Sequence, residues 1–143
     1  MLEILPDIWI SSHNHFKKLN TKNYIHINTC KDLEIFGSNR EYKDDIKKSL
    51  IKYQLIKLYK YIHDTVKLIH SHILNNKTIV ITCRTGLHIS PLICVCYMIV
   101  YGKLSDDEAL LSLKSKVTNI YIDDIFFKNI SSKIYKDTLN NKI

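Results

Sequence analysis

The sequence predicts an α/β fold in one domain spanning residues 1–143, with a central sheet of about four to five strands flanked by helices. Three observations carry that expectation. Thr78 to Thr82 (TIVIT) is a continuous β-branched run, the pattern of a strand buried on both faces of a sheet. Ile62, Val66, Ile69 and Ile73 recur at helical spacing just before it. Just after it, Cys83-Arg84-Thr85-Gly86-Leu87-His88-Ile89 reads as a loop, and Ser90-Pro91 as the start of a helix, with serine as N-cap and proline at the first helical position. That helix, Leu92 to Tyr101, is apolar all round and therefore central.

The remaining elements follow along the chain. Leu2 to Ile10 reads as two short strands hinged at Pro6-Asp7, a common turn pair. Tyr24 to Thr29 (YIHINT) alternates apolar and polar residues and is expected as a strand. Glu34 to Lys48 is charged and poorly periodic, a loop or short helix, whereas Leu50 to Leu58 (LIKYQLIKL) reads as a further strand. The amphipathic helix then runs from about Leu58 to Leu74 and is ended by Asn75-Asn76-Lys77. Beyond the central helix, Gly102 is expected as a left-handed C-cap. Ser105-Asp106-Asp107-Glu108 is a capping box opening a helix through about Lys114. A last helix, roughly Asp123 to Lys136, places Ile122, Phe126, Ile130 and Ile134 on one face.

Composition narrows the class of protein. An apolar content of 45% suffices to bury a core. Met1 to Ile10 has no basic lead-in and no cleavage site, so no secretory leader is expected there. The longest apolar run, Ile89 to Tyr101, is shorter than the ~20 residues a bilayer span takes, so no membrane role is expected. Cys30, Cys83, Cys94 and Cys96 form no CxxC pair or disulfide framework, which favours a reducing compartment, most simply cytosol. The net charge of +7 favours acidic partners. Abundant isoleucine, lysine, asparagine and tyrosine with a single alanine, Ala109, fits translation of an AT-rich genome, as in many large DNA viruses.

A strand, a cysteine, a glycine-containing loop and a helix N-terminus together make a device for holding an oxyanion. Backbone N–H groups converge, the helix dipole adds its positive end, and a thiolate can sit at the base. Cys83, Arg84, Thr85, Gly86, Leu87, His88, Ile89 and Ser90 are the candidate site. Thr82 to Ser90 resembles the HCxxGxxRS signature of cysteine-dependent protein tyrosine and dual-specificity phosphatases, with Cys83, Gly86 and Ser90 in register. Leu104-Ser105-Asp106-Asp107-Glu108-Ala109-Leu110 is similar to the LSxxEAL helix of that family, and LPDIWISS to its opening strand pair. In size, the chain is most similar to small viral dual-specificity phosphatases, including the poxvirus type. The resemblance implies the phosphatase fold, Cys83 as the nucleophile position and residues 84–90 as the phosphate-binding loop. No metal and no cofactor are expected, since neither the cysteine nor the histidine spacing fits a zinc pattern.

The departures from the signature predict what the loop has lost. Ile89 occupies the arginine position, and Thr82 that of the histidine before the cysteine. In active members the arginine grips two phosphate oxygens with a planar fork; isoleucine offers neither donor nor charge. Losing a preorganised donor of this kind lowers rates by ~10²–10³, and a bidentate cation counts for more. The family's general-acid aspartate stands roughly thirty residues before the cysteine, on a strand-to-helix loop. Leu50 to Tyr61 holds no carboxylate, and Asp44, Asp45 and Asp64 lie at other spacings. Arg84, directly after the cysteine, occupies a position whose side chain usually points away from the phosphate.

The expectation is therefore a catalytically inactive or severely impaired phosphatase homologue, a pseudophosphatase, that binds protein, including phosphoprotein, in the cytoplasm (of a host cell, or in a virion, if viral). Direct nucleic-acid binding is not expected, because no stacking aromatics are interleaved with the lysines. Two enzymatic alternatives stand beside it. One is weak phosphatase activity through Cys83. The other is a rhodanese-like sulfurtransferase, suggested by Cys83-Arg84-Thr85-Gly86 but opposed by a loop one residue too long. Cys94 and Cys96 read as core packing, His13/His15 and His70/His72 as surface histidines, and Lys43, Lys47, Lys48, Lys52, Lys57 and Lys60 as a solvated face or a docking surface. His88 reads as an exposed loop residue or an anion contact.

Overall fold

The chain folds in the order β1 (Leu2–Leu5), β2 (Ile8–Ser12), β3 (Tyr24–Asn28), α1 (Asp44–Leu74), β4 (Thr78–Cys83), α2 (Ile89–Val100), α3 (Asp106–Lys114) and α4 (Ile125–Leu139). This is a computed structural model that describes residues 1–12, 15–16, 24–29, 44–83, 89–117 and 125–143, the side chains of 44–52, 54, 125 and 126 excepted. The four strands form one mixed sheet in the order β1-β2-β4-β3. β1 and β2 are antiparallel, joined at Pro6-Asp7, where Asp7 adopts the left-handed conformation (φ 66°) that closes the tight turn. β4 lies between β2 and β3 and is parallel to both, so its apolar run is paired on both edges, as its composition predicts.

Alternation along β4 divides the sheet into two unlike faces. Ile79 and Ile81 share a side with their partners Ile8, Ile10 and Ile27, and these pack into the main core. α1 adds Leu58, Ile62, Val66 and Ile69 to that core, and α3 adds Ala109 and Leu113. α4 completes it with Phe127, Ile130 and Ile134. α2 is buried along almost its whole length, Tyr97 and Ile89 being the half-buried exceptions, as an all-apolar helix must be. The other face of β4 carries Val80 and Thr82, both fully buried, and there the Phe16 ring lies 4.1 Å from that of His26.

Several boundaries differ from expectation. Leu50 to Leu58 is not a strand: α1 is a single helix of 31 residues beginning at Asp44. Ile51, Leu55, Leu58 and Ile62 follow one another at steps of four, three and four, so the helical period of the second half extends through the first. α1 ends as expected at the asparagines. Asn76 takes a left-handed φ of 59°, and the Lys77 N–H donates to the His72 carbonyl at 3.0 Å. Gly102 is not the left-handed residue after α2; Lys103 is, with φ 59°. Glycine is required at 102 because a Cβ there would stand 2.5 Å from the Met98 carbonyl oxygen. α2 opens at Ile89, so Ser90 lies in its first turn, and α4 ends three residues beyond the expected Lys136. The capping box at Ser105 is as predicted.

Candidate functional site

β4 delivers Cys83 to the end of the central strand, where it pairs with Ser12 of β2 and is 4% exposed. Six residues on, α2 begins with Ile89 and Ser90. Both ends of the expected oxyanion device are thus present: a buried thiol closing a parallel strand, and a helix N-terminus directly after it. Arg84, Thr85, Gly86, Leu87 and His88, which join them, lie outside the described residues. No acidic residue stands in the first turn of α2, so no carboxylate of that turn competes for its N–H groups.

Ile89 is half-buried and packs against the main core. The position where the signature has a phosphate-gripping guanidinium is therefore filled by a side chain engaged with hydrocarbon. Ser90 is fully buried, and its hydroxyl donates to the Ile81 carbonyl at 3.4 Å. It fastens the helix start to the strand, where the sequence suggested a conventional N-cap.

The strand end beneath Cys83 is held by residues that sequence reasoning passed over. Thr82 is fully buried, and its hydroxyl shares a 2.7 Å hydrogen bond with Nε2 of His26. The Thr29 hydroxyl donates to the Thr82 carbonyl, also at 2.7 Å. A histidine thus sits beside residue 82 after all, but it comes from β3 across the sheet. The signal for it was the register: His26 is opposite Val80, so it shares a face with Thr82 two residues further on.

The general-acid expectation needs correction. Counting back thirty residues presumed a strand at 50–58, but those residues lie within α1. The junction that leads into this helix stands before Asp44, in residues 30–43, outside the described residues. Asp44 and Asp45 are the first residues of α1, and Asp64 is exposed on its surface, 3.4 Å from Nδ1 of His63. The missing carboxylate in 50–61 is therefore no argument against catalysis.

The other cysteines have no place in the site. Cys94 and Cys96 are fully buried in α2; burial pushes the Cys94 thiol up to about 12 and that of Cys96 higher, with a smaller push from Cys94. Thiols held protonated in this way act as small hydrophobes. Cys30 and His13 lie outside the described residues. His70 is not a surface histidine. It stacks on Tyr101 with ring centroids 3.8 Å apart and an angle of 9°, and its Nδ1 lies 3.0 Å from the Tyr97 hydroxyl. Of the expected lysine run, Lys57 and Lys60 are exposed on α1, Lys43 lies outside the described residues, and Lys47, Lys48 and Lys52 are placed by backbone alone. Among the described residues, no three His, Cys, Asp or Glu side chains group as a metal site, and no helix is long and apolar enough to cross a membrane.

Comparison with known proteins agrees with this arrangement. The family described as "Dual specificity phosphatase, catalytic domain" matches residues 8–133. No curated protein sequence matches the chain. Among solved structures, human DUSP28 superimposes with a TM-score of 0.73 at 12% identity, covering 100% of both chains. A leucine rich repeat and phosphatase domain containing protein from Entamoeba histolytica gives 0.69 at 19% identity, covering 99% of this chain and 94% of its own. A mouse putative dual specificity phosphatase complexed with zinc tungstate also gives 0.69, at 12% identity, covering 99% and 89%. At these identities the likeness is one of fold. With the family match spanning most of the chain and the strand–cysteine–helix geometry in place, this protein belongs to the dual-specificity phosphatase family.

Proposed function

We propose that this chain is a pseudophosphatase: one phosphatase-like domain over 1–143 that binds a protein or phosphoprotein partner through the retained scaffold and turns over little or no phosphate ester. The observation that carries the reading is Ile89. It stands at the signature arginine position and packs against the core, offering neither donor nor charge to an anion above Cys83. A phosphoryl-transfer transition state without that bidentate cation loses ~10²–10³ in rate or more. The helix N-terminus, free of acidic residues in its first turn, still favours an anion, so phosphate binding without turnover is the consistent outcome.

Residues 84–88 supply the rest of the proposed phosphate-binding loop, with no cofactor and no metal. A cytoplasmic setting follows from cysteines outside any disulfide framework, and a viral origin from the small size and AT-rich composition. Weak activity through Cys83 is the second reading, supported by the retained thiol and by Asp44 and Asp45 at the start of α1. Incubation with a phosphotyrosine peptide separates the two. The proposal expects the peptide to be retained, equally by wild type and Cys83→Ser, with no inorganic phosphate released. Release that Cys83→Ser abolishes would overturn it.

A further inference from the structure

A second surface lies between α1 and α4 and shares no residue with the strand–loop–helix site. It is an open groove of about 620 Å³, with Leu55, Ile56 and Tyr59 from α1 along one side and Lys133, Lys136 and Asp137 from α4 along the other. Ile56 is 61% exposed, and Tyr53, one turn back, is 53% exposed. Both are large apolar side chains left in water, Ile56 on the lining of the concavity itself. Lys128 lines the same groove, and all three lysines are exposed. Among the described lining residues the one carboxylate is Asp137, which accepts a hydrogen bond from the Tyr59 hydroxyl, and the Lys133 ammonium stands 4.5 Å over the Tyr59 ring. The acid is thus drawn into the groove wall, and the lip facing solvent is cationic around an apolar strip.

We propose that this groove docks an acidic peptide segment of a partner protein, one that carries an apolar anchor residue between its carboxylates. Charge complementarity selects the occupant: lysines at the lip meet carboxylates, and the strip from Leu55 to Ile56 receives the anchor. A bilayer surface fits less well, because the apolar residues line a concavity and a bilayer requires a projecting apolar face. A second copy of the chain fits less well too. Each copy carries +7, and two carboxylates of the acidic triplet at the start of α3, those of Asp106 and Glu108, are already engaged. There Glu108 caps Ser105, and Asp106 accepts from the Ser132 hydroxyl and the Asp107 N–H. The proposal does not rest on the loss of phosphatase activity, since the groove is remote in sequence from Cys83 to Ser90.

The test uses fluorescence anisotropy with three labelled peptides: one with a leucine pair flanked by glutamates, one with the leucines replaced by serine, and one with the glutamates replaced by glutamine. The full chain is expected to bind the first, and the other two at least about tenfold more weakly, as loss of an anchor or of close charge pairs dictates. Lys133→Glu with Lys136→Glu should weaken the first peptide by about tenfold or more, and Ile56→Asp should do the same through the anchor, with thermal midpoints kept because all three residues are exposed. Cys83→Ser should bind like wild type. Equal binding of all three peptides, no binding of the first, or undiminished binding by the variants would overturn the proposal. So would phosphatidylserine vesicles that bind more tightly than the peptide and are released by the double substitution, which would assign the surface to lipid. A dimer in sedimentation that the same substitutions dissolve would assign it to a second copy and overturn the proposal equally.

Discussion

Two helix starts in this molecule solve the same electrostatic problem in opposite ways. α3 closes its own N-terminus. The Ser105 hydroxyl accepts from the Glu108 N–H at 3.1 Å, the Glu108 carboxylate accepts from the Ser105 N–H at 3.1 Å, and Asp106 and Asp107 add further negative charge. α2 has no acid in its first turn and is preceded by the strand that ends in Cys83. The first is satisfied from within; the second has no carboxylate of its own and, on the proposed reading, is left for an anion from outside. The difference teaches what the replacement at 89 removes. On the proposed reading it takes away the side-chain cation of the phosphatase site and leaves the backbone and dipole contribution of α2 in place.

Closing α2 in the manner of α3 is the severest way to break this contrast. Ile89→Asp would set a carboxylate against the core, and it is expected to lower unfolding free energy by about 2–3 kcal/mol in urea titration while abolishing phosphate binding. Thr29→Val tests the support beneath the site: it removes the donor to the buried Thr82 carbonyl and should cost about 1–2 kcal/mol, read as an earlier urea midpoint. Opening α3 comes next. Ser105→Ala removes its cap and should cost about 1 kcal/mol by thermal melting, with phosphate binding at α2 unchanged.

The smallest expected effect is the pH signature of the closed start. The Ser105 backbone N–H, then its hydroxyl, holds the Glu108 carboxyl below its usual range. A carboxylate with a lowered folded-state pKa adds stability above its unfolded value, and that stability is lost as pH falls through the lowered one. Glu108→Gln should therefore lower the melting temperature slightly at neutral pH, and the gap to wild type should close as pH falls through the lowered pKa, which flattens the acid limb.

The parts of the fold that were legible in the sequence are those whose signal is local. The Pro6-Asp7 turn, the Ser105 capping box and the β-branched run of β4 each declare themselves within a few residues, and each stands where expected. Leu50 to Leu58 misled because apolar residues fill most of a short window that fits a strand or a helix, while the helical period is visible only from Ile51 through to Ile62. His26 and Thr29 were illegible because their partner, Thr82, is more than fifty residues away and is found only through strand register. Gly102 was correctly marked as special, yet the reason is close approach to the Met98 carbonyl, with Lys103 taking the positive φ. Of the candidate site, Cys83 ends β4 and Ile89 and Ser90 open α2, Ser90 in the first turn and not as the N-cap, whereas the thirty-residue count to the acid lost its basis with the strand at 50–58.

The most direct test of the central claim is aryl-phosphate hydrolysis by wild type, Cys83→Ser and Ile89→Arg, measured side by side. The account predicts that wild type and Cys83→Ser are indistinguishable at background, with any gain confined to Ile89→Arg. Turnover by wild type that disappears in Cys83→Ser would contradict it, and would make Arg84 and His88 the residues to explain.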